Sequence, residues 1–106
     1  MTEAIQVVTT TATQDDAQKI ANALLQQRLA ACVQISGPIT SSYWWEGKID
    51  LSAEWLCTIK TRRDLYASVE RAIRDAHSYD EPEILATLVV DGSAGYLKWL
   101  DQQVRQ

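Results

Sequence analysis

The stretch ITSSYWWEGKIDLSAEWLCTIK, residues 39–60, decides the fold. Ile39 to Glu46 and Ile49 to Lys60 are rich in β-branched and aromatic residues and flank Glu46-Gly47-Lys48, a turn signal. They read as one long β-hairpin. In its second strand Trp55, Cys57 and Ile59 face one way and Glu54, Leu56, Thr58 and Lys60 the other, because side chains alternate along a strand. A lone two-stranded hairpin is marginal in water, so it needs neighbours.

The flanking sequence supplies them. Ile5 to Thr10 is β-branched and predicts a strand. Thr13 with Asp16 resembles a capping box, and Ala17, Ile20, Ala21 and Leu24 recur at helical steps, so a helix is predicted to end near Arg28. Ala31, Val33 and Ile35 then alternate with Cys32, Gln34 and Ser36 at strand period, and Gly37-Pro38 predicts a bulge or kink. On the other side, Thr61 with Asp64 repeats the capping signature, with Arg62 and Arg63 expected in a solvated helix start. Leu65, Val69, Ala72, Ile73 and Ala76 form that helix's apolar stripe. Ile84 to Val90 predicts the strongest strand. Asp91-Gly92 stops it, and Ser93 is expected to cap a last helix carrying Tyr96, Leu97, Leu100 and Val104.

Strand, helix, hairpin, helix, strand and terminal helix predict an α+β fold: a ferredoxin-like split β-α-β sandwich with a long hairpin and an extra C-terminal helix. Such a sheet is expected to carry helices on one side only. Its open face would measure on the order of 480 Å². Gln6, Val8, Cys32, Leu56, Leu85 and Val89 are predicted there. With Tyr43, Trp44, Trp45 and Trp55 on the hairpin, so much apolar area predicts self-association.

Composition bounds the rest. The 106 residues predict a single domain, 1–106, that buries about 65% of its unfolded surface. Ten Lys and Arg against fourteen Asp and Glu leave a net charge of −4, which argues against nucleic-acid or anionic-membrane partners. Cys32 and Cys57 make neither a disulfide framework nor a zinc knuckle. No apolar run approaches a membrane span, and Met1-Thr2-Glu3-Ala4 lacks the marks of a signal peptide. A cytoplasmic setting with reduced thiols is the expectation.

An ordered set of motifs runs along nearly the whole chain: Leu29-Ala30-Ala31-Cys32-Val33 in the second strand, Thr40-Ser41, Tyr43, Trp45 and Gly47 in the hairpin, then Glu54 and Lys60-Thr61, then His77, Tyr79, Pro82, Glu83 and Ile84, then Tyr96-Leu97 and Trp99-Leu100. Taken in this order, the set resembles the CutA divalent-cation tolerance family. The resemblance implies a homotrimer similar in shape to the PII signalling proteins, binding of copper or another divalent metal ion, and a role in metal tolerance. Beside the histidine the chain departs from the family pattern. Ser78 replaces a proline, Asp80 shortens an acid, and Glu81 stands where a neutral residue is usual.

Two readings of the acidic segment stay open. His77, the single imidazole, precedes Asp80, Glu81 and Glu83, a nitrogen and oxygen donor set that suits Cu(II). Against that, a cationic histidine at a helix C-terminus is favourable by ~0.3–1 kcal/mol with no metal at all. Cys32 is a further soft-ligand candidate, or a plain strand residue. Lys60, Glu54 and Tyr79, with Trp45 and Trp99, are candidates to line an inter-subunit cleft for a small ligand; an interface ion pair serves the first two as well. No nucleophile and base pair is legible, so an enzyme is not expected. The alternative function is a PII-like trimeric sensor or scaffold binding a small molecule or partner protein.

Overall fold

The computed structural model describes residues 2–106; Met1, part of the stretch read for a leader, lies outside the described residues. The elements run β1 (Ala4–Thr11), α1 (Gln14–Gln26), β2 (Cys32–Trp45), β3 (Lys48–Arg62), α2 (Tyr66–Ala76), β4 (Leu85–Leu88) and α3 (Ala94–Gln103). The four strands form one antiparallel sheet in the order β2-β3-β1-β4. This is the split β-α-β arrangement expected, with its long hairpin and added helix.

Alternation on β1 and β3 builds the core. Ile5 and Val7 meet Cys57 and Ile59 across the sheet, and Ala17, Ile20 and Leu24 of α1 with Val69, Ala72 and Ile73 of α2 close over them. Each such aliphatic side chain contributes about 1.5–3 kcal/mol when buried. Thr13 starts α1 as expected: its Oγ1 accepts from the Asp16 N–H at 3.0 Å. The helix ends with Arg28 in the left-handed region, φ 57. The Leu29 N–H then reaches the Leu24 carbonyl (2.9 Å) and the Arg28 N–H the Leu25 carbonyl (3.1 Å), a Schellman ending that drops Leu29 into the core.

The hairpin turns through two residues, Glu46 (φ 49) and Gly47 (φ 79), between paired Trp45 and Lys48. Both positive φ values mark the turn whose twist suits a hairpin. The expected bulge is present: Ser36 pairs with Leu56 and Ile39 with Glu54, so Gly37 and Pro38 together oppose Trp55. Space explains the glycine, since a β-carbon there would sit 2.7 Å from Trp55 Cε3. β1 covers β3 only from Trp55 to Arg62. Beyond Trp55 the hairpin continues as a bare two-stranded arm, and the molecule is 44 Å long against 26 and 22 Å in its other dimensions.

Five expectations need correction. Thr61 does not cap a helix; it pairs with Ile5 inside β3 and its Oγ1 donates to the Leu29 carbonyl at 2.6 Å. A 3-10 turn at Arg63–Leu65 intervenes, and α2 starts at Tyr66 without a side-chain cap bond. Sheet pairing outweighed a local capping signal. Arg62 is not solvated: its side chain is 13% exposed and binds Asp64, Asp101 and the Arg105 carbonyl. The strand expected over Ile84 to Val90 shrinks to the four exposed residues of β4, because only Ile5 to Val8 of β1 pair with it. Ser93 does stand at the N-terminus of α3 but makes no side-chain cap bond. Finally, the helices are not all on one side. Lys60 lies over the Tyr96 ring and Arg62 holds Asp101, yet both strand residues project opposite to Ile59 and Thr61. α3 therefore covers part of the second face. Residues 103–105 return from it to the helix layer: Val104 enters the core and the Arg105 guanidinium donates to the Gln27 carbonyl at the end of α1.

Two outcomes follow from this packing. Gly37→Ala should lower stability by about 1–3 kcal/mol, the usual cost of overpacking, read as a lower urea midpoint at fixed protein concentration. Burial pushes the Cys57 thiol up to about 11, so it stays protonated below that pH. Cys57 should therefore resist iodoacetamide in the native protein and react only in denaturant; mass spectrometry showing rapid native labelling would mean that the core opens.

Candidate functional site

The site begins where α2 stops. His77 leaves the helix in an extended conformation, φ −83 and ψ 143. Its Nε2 lies 2.8 Å from the Thr10 carbonyl oxygen, and its Nδ1 is 3.1 Å from the Tyr79 backbone nitrogen. A carbonyl only accepts and a backbone N–H only donates. Nε2 therefore carries the proton and Nδ1 accepts, so the ring is a neutral bridge between the end of β1 and the segment after α2. The His77 and Tyr79 rings lie 4.9 Å apart.

Tyr79 carries the connection further. Its hydroxyl donates to Glu54 Oε2 at 2.7 Å. Glu54 is buried, 7% exposed, one residue past the point where β1 ends, which leaves room for Tyr79 to reach it. Burial together with the Glu54 carboxylate drives the Tyr79 phenol far above its ordinary range. Ser78 reaches Asp16 at 3.4 Å, and Glu81 pairs with Arg74 at 3.1 Å.

The sequence-predicted residues are thus divided. His77, Asp80, Glu81 and Glu83 are close in sequence, yet among the described residues no three His, Cys, Asp or Glu side chains are grouped to hold a metal ion. The imidazole is committed at both nitrogens, and Glu81 turns to Arg74. Within one chain these side chains do not fit a metal site. Cys32 lies elsewhere, half-buried in the row Cys32, Lys60, Gln6, Thr87 across the sheet.

The candidate cleft residues fall at three places along β3. Lys60 stands near its end, with Nζ 5.6 Å from the Tyr96 ring centroid, and Tyr96 in turn packs on Trp99 at 5.4 Å. Glu54, bound to Tyr79, is six residues back, about 20 Å at strand rise. Trp45, paired with Lys48, lies about another 20 Å away at the tip. One chain does not bring these groups into one cleft. Sequence reasoning missed two participants. The Thr10 carbonyl has no side-chain signal. Arg62 had one: its even step from Lys60 places it on the face that α3 covers, where it holds the Asp64 carboxyl below the usual carboxylate range.

The comparisons with known proteins agree with this architecture. A family model described as CutA1 divalent ion tolerance protein matches residues 5–103. "Protein CutA 1, chloroplastic" of Oryza sativa subsp. japonica is 37% identical over 102 residues, 96% of this chain, which itself spans only 58% of that plant protein. The divalent-cation tolerance protein CutA of Archaeoglobus fulgidus is 41% identical over 90 residues, 85% of this chain and 87% of that one. The crystal structure of CutA1 from Oryza sativa superposes with a TM-score of 0.95 at 36% identity, covering 99% of this chain and 96% of that one. Sequence along nearly the whole length and the fold point the same way, and the chain belongs to the CutA1 divalent ion tolerance protein family.

Proposed function

We propose that this chain acts in divalent-metal tolerance as a homotrimer that binds the ion, copper(II) foremost, at positions completed between copies. The observation that carries this reading is the bare arm. Trp44 (73% exposed), Trp45 (60%), Ile49 (68%) and Leu51 (63%) stand on two strands that no third strand supports. Such an arm is marginal alone, and a second copy of the chain is the cover always at hand. Family membership supports the metal side. The single-chain donor set supports completion between copies, because one chain lacks a three-donor group among its described residues. Copper(II) heads the divalent affinity series for nitrogen and oxygen donors. We read the protein as a binder and not an enzyme; the commitment of both His77 nitrogens leaves no free imidazole base. A cytoplasmic setting belongs to the same reading, supported by two free cysteines.

A second reading, a PII-like sensor of a small molecule, is favoured by one feature. Lys60 has no carboxylate partner among the described residues and sits over Tyr96 beside half-exposed Trp99. A cation with aromatic neighbours suits an anionic ligand. A small anion co-purifying with metal-free protein would favour it.

Native mass spectrometry of freshly purified protein should report three 11.9 kDa chains with bound divalent metal. A metal-free monomer would overturn the reading. Trp45→Ala removes a ring that is 60% exposed in the single chain, so it should cost little packing within the subunit but weaken assembly at least tenfold in sedimentation equilibrium. Ile49→Asp with Leu51→Asp should yield monomer and lose copper(II) binding in calorimetry at the same time; a monomer that kept full affinity would place the ion within one chain.

A further inference from the structure

We propose that His77 is a positioning residue and not a cation ligand: its ring bridges the Thr10 carbonyl and the Tyr79 N–H, and so delivers the Tyr79 hydroxyl to Glu54 at the root of the arm. The proposal rests on the reading that the chain handles divalent ions, and it says where on the chain they do not bind.

The geometry leaves the imidazole no spare lone pair. Nδ1 spends its lone pair on the Tyr79 N–H at 3.1 Å, and Nε2 spends its proton on the Thr10 carbonyl at 2.8 Å. An ion at Nδ1 must displace the backbone N–H. An ion at Nε2 must expel the proton and leave the Thr10 carbonyl without its donor. Either loss removes the partner that the structure gives a part-buried backbone group, at a cost the ion would have to offset. The acids following in sequence do not converge on the ring to offset it.

The relay instead ties three elements. It runs from the end of β1, through the segment between α2 and β4, to β3 one residue past the end of its pairing with β1. Glu54 sits opposite Ile39, directly after the bulge at Gly37-Pro38. That is where the arm leaves the sheet. A hydroxyl fixed on Glu54 there sets the direction of departure, and the same backbone segment leads into edge strand β4. His77 therefore fixes the arm, with exposed Trp44, Trp45, Ile49 and Leu51, relative to β4, with exposed Leu85 and Leu88.

The test uses the full chain in its native assembly with zinc(II), a diamagnetic stand-in for copper(II). Nitrogen-15 correlation of the ring should show the neutral Nε2–H tautomer, unchanged after one equivalent of zinc. A zinc-induced shift of either ring nitrogen would overturn the proposal. Carbon-13 labelling of the tyrosine Cζ should show the Tyr79 phenol held protonated above its ordinary range, by burial first and by the Glu54 carboxylate on β3, with Tyr43 on β2 and Asp16 on α1 adding to it. His77→Ala should release Tyr79 from Glu54 and bring its titration back toward the ordinary phenol range. His77→Gln, which keeps a donor for Thr10, and His77→Asn, which keeps an acceptor for Tyr79, should each recover part of the shift. An unchanged Tyr79 titration in His77→Ala would sink the positioning role. Should His77→Ala not fold, the tautomer and zinc measurements on wild type still decide the question. Calorimetry separates the two readings: no zinc or copper binding anywhere defeats the proposed function, while the ring tautomer and the Tyr79 titration judge the relay alone.

Discussion

Everything in this molecule hangs on β3. It is hydrogen-bonded on both sides, to β1 from Trp55 to Arg62 and to β2 along most of its length. Shifting it by one residue would carry Cys57, Ile59 and Thr61 out of the core and put Lys60 and Arg62 in their place. The bulge at Gly37-Pro38 against Trp55 pins that register, since the extra residue fits opposite one ring only. The mismatch in length between β3 and β1 then creates two features at once. It leaves the arm bare, and it opens the space at Glu54 into which Tyr79 enters.

The polar groups follow from the same constraint. Where β3 ends, Thr61 answers the Leu29 carbonyl, and Arg62 gathers Asp64, Asp101 and the Arg105 carbonyl. The carboxylates are exposed, so the ion pairs themselves are worth little in screened solvent. The Arg62 bonds that cross between elements place α3 on the second face, and α3 buries its own Leu100, which lies outside the main core. Arg105, arriving from α3, occupies carbonyls at the end of α1 that the helix cannot satisfy itself.

The hairpin, both core-facing helices and the bulge were legible because each rests on a strong periodic or steric signal: alternation in Trp55 to Ile59, helical steps in Ala17 to Leu24 and in Leu65 to Ala76, glycine and proline at residues 37–38. Thr61 misled because a capping signature and a strand residue with a hydroxyl look alike until pairing is known. Ile84 to Val90 misled because β-propensity is local, whereas a strand runs only as far as its pairing, and only Ile5 to Val8 of the eight β1 residues pair with β4. The candidate site was half legible. Of the residues singled out, Tyr79 and Glu54 do meet, while the acids after His77 form no group of metal donors among the described residues. That His77 is a bridge depends on a backbone carbonyl, Thr10, which no side-chain pattern announces. Lys60 and Glu54 share a strand parity, yet the separation of six residues keeps them apart; parity fixes a face and says nothing of distance.

The exposed arm also bears on how function and stability are linked. Burying Trp44, Trp45, Ile49 and Leu51 is worth about 1.5–3 kcal/mol per side chain if complete. Four such residues approach the ~5–15 kcal/mol that holds a typical domain together. In the proposed trimer, assembly on that scale would be part of folding and not an addition to it, and stability would depend on protomer concentration. A ligand position shared between copies would inherit this dependence, since whatever binds only the assembled state stabilises it. The Tyr79 bond to Glu54 stands at the root of the arm, so in the proposed assembly the direction set there would carry along the arm to the surface offered to a second copy.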